Sequence, residues 1–503
     1  MTVQSITKFF KACPEPPRLR FAAVVGVLLL FAGCTVGPNY VRPKAAAPIA
    51  YKESEGWKVA QPRDHLIRGA WWEIFNDPQL NALEEQVNIS NQNLAAAEAQ
   101  FRQARALVQS ARSAFFPQVT AGAAATRTRR SLNTAGGSNI SAGPDTDLML
   151  PGNVSWELDV WGRVRRAVES SQASAQASAA DLEATRLSLQ AELAQDYFSL
   201  RALDAQKRLY DETITAYQKF LQMTKNRYEK GVASKADVLQ AETQLKSTQA
   251  QAIDVGVGRA QMEHAIALLM GKPASDVSIP VAPLATIPPP IPTGVPSELL
   301  ERRPDIAAAE RRAAAANAQI GVAEAAFYPK ITLSGSGGFE SSNLSNWLSW
   351  PSSFWSVGSA LAATLFDGGS RQALSDQARA AYDANVAAYR QTVLTGFQEV
   401  EDNLAALRIL EEEGRVQNEA VKAAEQSVTV STNQYKAGTI SYLEVLVIQQ
   451  IALTNARAAI NILGRRMTAG VLLIKALGGG WQSSDLPSAD NMAGNLEQGP
   501  KKR

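Results

Sequence analysis

The sequence predicts an α+β protein built from two tandem repeats of one unit. Three features point there. Segments of the first half recur in the second half in the same order. Each copy carries a proline-free helical stretch of about 65 residues, and each carries strands that alternate between an apolar and a polar face.

The N-terminus comes first. Residues 1–20 hold Lys8, Lys11, Arg18 and Arg20 against one acid, Glu15, and Phe21 to Gly33 is apolar or small throughout. A basic start, an apolar run and a small-residue exit read as a secretory signal peptide over residues 1–33. The run of 13 residues is shorter than the about 20 that a helical membrane span requires. It stops at Cys34. Removing residues 1–33 takes the formal charge from +2 to −1 and leaves one cysteine in 470 residues. That excludes an internal disulfide and gives no electrostatic case for nucleic acid. Beyond Gly33 no apolar stretch reads as long enough to be a transmembrane helix.

The repeat is legible directly. "RYEKGVASKADVLQAE" (Arg227–Glu242) recurs as "QYKAGTISYLEVLVIQ" (Gln434–Gln449), and "AFFPQVT" (Ala114–Thr120) as "AFYPKIT" (Ala326–Thr332). Between the copies lies "VAPLATIPPPIPTGVPSELL", too rich in proline to stay helical. Two copies are too few for a solenoid, so duplication of one half-structure is the simpler account.

Each copy opens with an alanine-rich helical pattern that proline stops after Phe116 and Tyr328. A strand, a loop and a second strand follow. In "NVSWELDV", Val154, Trp156, Leu158 and Val160 share one face; in "WSVGSALAATL", Trp355, Val357 and Leu361 do. A soluble sandwich strand and a membrane strand show this same period. Next comes the long helix, Arg163 to Glu229 in copy one, which at 1.5 Å per residue reaches about 100 Å. Its seven-residue stripe runs through Ala179, Leu182, Leu189, Leu193, Leu200 and Leu203, interrupted by Arg186 and Asp196; copy two gives Val386, Tyr389, Val393, Gly396, Val400, Asn403, Leu407 and Leu410. Such a stripe packs helices side by side.

Four strand segments per chain cannot close a barrel, and an open sheet edge cannot stay in lipid. If these strands enter a membrane, several chains must share one barrel. No catalytic constellation accompanies them. The two histidines, His65 and His264, stand in unrelated contexts, and no zinc-protease, nucleophile-elbow or phosphate-loop motif is present. The chain reads as no enzyme, with no metal site.

"CTVGPNYVRP", "WWEIFNDPQLNALEEQ", "ERRPDIAAAE", "FDGG" and "KALGGGW" together resemble the TolC family of outer-membrane factors, in its lipoprotein branch of the OprM and NodT type. The resemblance runs from Cys34 to Trp481. It implies a TolC-like homotrimeric duct with a 12-stranded outer-membrane β-barrel, four strands per protomer, over a long periplasmic α-helical barrel. It implies the exit duct of a tripartite efflux system, fed by a periplasmic adaptor (membrane fusion) protein and an inner-membrane RND transporter, passing small molecules such as drugs or toxic organics. Ala32-Gly33-Cys34 resembles a lipobox, with Phe31 where the family usually has Leu. That implies no cofactor other than a covalent diacylglycerol and N-acyl chain on Cys34, and export to the outer membrane, its lipid a partner.

On this reading residues 34–72 form a lipidated N-terminal segment, 73–275 and 301–480 the two efflux repeats, 276–300 the connector and 481–503 a tail. Trp156, Leu158, Trp355 and Val357 are the candidates to face lipid. Alignment of Tyr389–Leu407 with the family pattern makes Asp402 and Tyr389 candidates for a periplasmic gate, with Asp196 a further partner; equally, Glu399, Glu401 and Asp402 read as a solvated helix face. The resemblance places the two "G"-centred helix–turn–helix stretches equatorially, facing the adaptor; on their residues alone they are glycine-terminated helices. An exit duct for secreted polypeptides and a lipid-tethered structural coiled-coil protein are the competing readings.

Overall fold

The computed structural model describes residues 35–45, 48, 50–53, 69–129, 131, 143–284, 288–289, 291, 299–488 and 491–493. The signal segment, Cys34, His65 and part of the proline-rich connector lie outside the described residues. The chain divides into two compact units: one takes residues up to Arg42, Arg105–Ser174 and Ala313–Ala384, the other Pro43–Ala104, Ala175–Arg312 and Asn385–Arg503.

In chain order the elements are α1 (Pro78–Ser90), α2 (Gln92–Ser113), β1 (Gln118–Ala121), β2 (Ala124–Thr128), β3 (Asp145–Glu157), α3 (Arg163–Glu229), α4 (Lys235–Leu269), α5 (Pro304–Ala325), β4 (Lys330–Ser341), β5 (Ser353–Ala362), α6 (Ser370–Ala437) and α7 (Tyr442–Ala476), with short helical turns between some of them. The long helices α3 and α6 have 67 and 68 residues, and each is followed by one of 35. Their boundaries follow from local chemistry. Asp159 accepts from the backbone N–H of Val164 and Arg165 and so caps the start of α3. Gly231 (φ 70°) and Gly438 (φ 80°) take the left-handed conformation that ends α3 and α6. Ser234 with Asp237, and Ser441 with Glu444, form reciprocal capping boxes that start α4 and α7.

The first unit holds an antiparallel sheet in which β1 and β2 both pair with β3, β3 with β4 and β4 with β5. β1 and β2 follow a single register along β3 and occupy one lateral position, so the five strands fill four. The break at Gly122–Ala123 lies opposite Pro151 and Leu150. Gly122 N donates to Pro151 O, but proline has no N–H to return, and the ladder is interrupted there.

The second unit buries the seven-residue stripes. Leu182, Leu189, Leu193 and Leu200 of α3 and Tyr389, Val393, Val400 and Leu407 of α6 join one core with Trp71, Trp72 and Phe75. Trp71 donates its indole N–H to Gln190, and the Tyr197 hydroxyl donates to Asp77, which also caps α1. The motifs "ERRPD" and "KALGG" meet. Buried Arg303 is ion-paired with Asp305 and Glu399, both at 2.7 Å, and donates to Ala476 O, tying α5 to α6 and the end of α7. α7 corrects one expectation. It is long and apolar enough to cross a membrane by length and composition, yet Met467, Val471, Leu473 and Ile474 lie in the core. The core takes its C-terminal part, while Leu443, Val447 and Ile451 nearer its start are about half exposed.

Candidate functional site

The sheet of the first unit separates two chemistries. Directly opposed residues of an antiparallel pair share a face, so the register assigns every side chain. One face carries Val119 of β1, Leu150, Val154 and Trp156 of β3, Leu333 and Phe339 of β4, and Trp355, Val357 and Leu361 of β5. The other carries Gln118 and Thr120, Asn153 and Ser155, Thr332, Ser334 and Ser336, and Ser356. Both faces are open, and on the apolar one Trp355, Val357 and Leu361 are 81%, 80% and 70% exposed. A sandwich strand would turn such side chains inward against a second sheet. Here they form a bare apolar band on a sheet whose edges, β1–β2 and β5, have no further strand among the described residues. Soluble surfaces rarely carry this.

Small residues make the band. Gly337 lies in register with Trp355, and Gly335 with Val357. Of the four lipid-facing candidates, Trp355 and Val357 stand fully out. Trp156 is half-buried at the base of β3 and donates its indole N–H to Phe115 O. Leu158 lies just past the end of β3, where its N–H donates to Ile331 O. Strand β3 therefore ends before the expected alternation does, because Asp159 is already the cap of α3.

The base of the sheet is polar. Glu157 binds Arg163 at 2.8 Å and Lys330 at 2.9 Å. Trp161 stacks on Tyr328 with centroids 4.9 Å apart and donates to Pro329 O.

In the second unit the two repeated glycine motifs are hairpin turns at the C-terminal ends of α3 and α6, and they lie against each other. Tyr217, Phe220, Leu221, Val238, Leu245, Tyr435, Tyr442 and Val445 form one cluster. Phe220 stacks on Tyr435 at 5.4 Å. Arg227 lies 4.7 Å over the Tyr435 ring and donates to the carbonyls of Tyr435 and Lys436, so the first hairpin caps the last turn of α6. Nothing in the spacing of "RYEKG" singled out Arg227; only the juxtaposition of the two copies reveals it.

The gate candidates do not converge. Tyr389 is 1% exposed and packs in the core of its own chain. Asp402 is exposed and accepts from Gln398 at 3.3 Å. The 13 residues separating them put about 20 Å of helix between them. Asp196, on α3, is half-buried; burial, with Glu192 nearby, pushes its carboxyl up to about 6. Glu401 is half-buried, and its carboxylate accepts from the backbone N–H of Lys52 and Glu53.

The profile described as outer membrane efflux protein matches residues 83–272 and 295–479. The toluene efflux pump outer membrane protein TtgC of Pseudomonas putida is 31% identical over 457 residues, covering 90% of this chain and 94% of its own. Outer membrane protein OprJ of Pseudomonas aeruginosa is 32% identical over 464 residues, covering 90% and 95%. The solved outer-membrane channel OprN is 32% identical and superimposes with a TM-score of 0.81 over 89% of this chain and all of its own. An exposed apolar band on an open sheet, two matching helical hairpins and these likenesses agree: the chain belongs to the outer membrane efflux protein family, whose members are exit ducts, not catalysts.

Proposed function

We propose that three copies of this chain close one barrel, twelve strands from three sheets of four lateral positions, and that the helices of the two tandem repeats, 73–275 and 301–480, continue it as a periplasmic α-barrel. The carrying observation is the bare apolar band on a sheet with two open edges. Lipid accepts the band, but no open edge survives in lipid, and eight strands or fewer would be filled by their own side chains. The opposite face, with its serines, threonines and amides, suits a water-filled lumen.

The duct has no energy source of its own. A periplasmic adaptor and an inner-membrane RND transporter would deliver cargo to it. Relatives named for efflux of toluene, solvents and antibiotics favour small organic molecules over polypeptides. Acylation of Cys34 by diacylglycerol and an N-acyl chain adds an anchor in the same membrane. Asp402 remains the exposed candidate for a charged ring at the periplasmic end, where three copies would attract cations.

Mass measurement of the detergent-solubilised protein, followed by planar-bilayer recording, tests this. Trimers that conduct ions support the duct. A stable monomer without conductance, with Trp355 shielded, overturns it.

A further inference from the structure

Residues 35–40, immediately after Cys34, are held to the first unit by one buried cation. The Arg166 side chain is 4% exposed. Its Nε donates to Val36 O (3.2 Å), its Nη2 to Gly37 O (3.1 Å) and to Asn39 Oδ1 (2.9 Å), and its Nη1 to Glu169 (2.8 Å). Three of these four acceptors belong to the segment, so the guanidinium and the segment depend on each other. If the segment leaves, a buried charge loses most of its partners.

Shape reinforces the tie. Gly37 (φ 91°) lies so close to α5 that a Cβ would stand 2.4 Å from Gly321 Cα, and a Cβ on Gly321 would meet Arg166 Cγ at 2.8 Å. A glycine inside α5 costs helix stability, and here it admits another backbone. Asn317 donates to Pro38 O and Val36 N to Trp161 O. Thr35 packs on Gly162, where an added Cβ would come within 2.4 Å of Thr35 Cγ2. The segment therefore reaches its N-terminal end at the β3–α3 junction, beside the Trp161–Tyr328 stack.

We propose that Arg166 is the positioning residue that clamps this segment onto the junction of β3 and α3, and so fixes the acyl anchor at the base of the lipid-facing sheet. The proposal rests on the reading of Cys34 as the acylated residue. Without the clamp the anchor would be a tether of free length. With it, the acyl chains enter the bilayer at the polar edge of the apolar band and hold the sheet at one depth.

Hydrogen exchange read by mass spectrometry on the full-length, detergent-solubilised protein tests the clamp. In Arg166→Met the amide of Val36, which donates to Trp161 O, exchanges at least about tenfold faster, as loss of bonds to a charged group implies, while β3 and β4 stay within about twofold of wild type. Arg166→Lys restores part of the protection. Asn39→Ala, which removes one tie and leaves the helices intact, gives a smaller acceleration confined to the same segment. Unchanged exchange in the segment for both variants overturns the clamp; so does acceleration shared by β3 and β4, which would make Arg166 a general packing residue. The mass of the N-terminal peptide is a separate readout: an unmodified Cys34 refutes acylation, while the exchange data still judge the clamp.

Discussion

Val357→Arg and Ser356→Arg place the same cation on adjacent residues of β5 and on opposite faces of the sheet. Val357 is fifth of the ten residues of β5, so at about 3.3 Å per residue it lies about 15 Å from either end, near the middle of a hydrocarbon layer. Its cross-strand neighbour is Gly335, followed by Val154, and neither offers an acceptor. An arginine on the lipid face at the midplane costs about 2–4 kcal/mol. That is a loss of roughly 30- to 700-fold in the folding equilibrium of each protomer, tripled in free energy if three fold together. Ser356→Arg points into water and costs less than about 1 kcal/mol. The assay is urea-dependent folding into phospholipid vesicles, with the folded fraction read from electrophoretic mobility. Brominated acyl chains should quench Trp355 and aqueous iodide should not. Equal costs for the two variants would refute the face assignment. Quenching of Trp355 by iodide alone would refute its contact with lipid.

Three other perturbations test the second unit. Asp196 has a folded-state value of about 6 against an ordinary 3.8, so the folded state holds its proton longer than the unfolded one, and stability falls as pH rises from about 4 to 6 and then levels; Asp196→Asn should flatten that slope and gain up to about 3 kcal/mol at pH 7, read from chemical denaturation at several pH values. Asp204, 1% exposed, bridges Arg201 and Arg259, so Asp204→Ala should cost about 3–5 kcal/mol by stranding buried cations, and a shift in denaturation midpoint worth less than about 1 kcal/mol would contradict it. Glu84 is wholly buried with no hydrogen-bond partner among the described residues for either carboxylate oxygen, and burial holds its carboxyl well above the usual range. Glu84→Met should therefore raise the melting temperature at pH 8 and much less at pH 4, where the carboxyl is protonated in folded and unfolded chains alike.

The sequence was most legible where backbone chemistry decides the outcome. Arg163–Glu229 reads as one helix because no proline interrupts it and glycine follows, and α3 has those ends. It was less legible where a strand uses residues that also make loops. β3 begins at Asp145 and passes through Pro151 and Gly152, and β4 is largely glycine and serine. Those residues read as turn chemistry until a register shows that the glycines lie under Trp355 and Val357. Alternation in "NVSWELDV" established two faces and could not say which medium each meets, because a sandwich and a barrel impose the same period; exposure of the apolar face argues against the sandwich.

The residues that tie distant segments together were the least visible. Arg166, Arg227 and Arg303 are each one charge among 50 Lys and Arg, and none sits in a pattern that periodicity detects. Half of their acceptors are backbone carbonyls of segments far away in the chain: Val36 and Gly37, Tyr435 and Lys436, Ala476. A carbonyl leaves no mark on residue identity, so no spacing rule finds such a bond. The same argument explains the gate candidates. Asp402 and Tyr389 were chosen by alignment along a helix, but a helix presents several faces to several neighbours, and in the proposed trimer which one meets a lumen would depend on the other copies of the chain. Tyr389 fills the core of its own chain, and Asp402, bonded to Gln398 one turn earlier, keeps the exposure that a ring of charge requires.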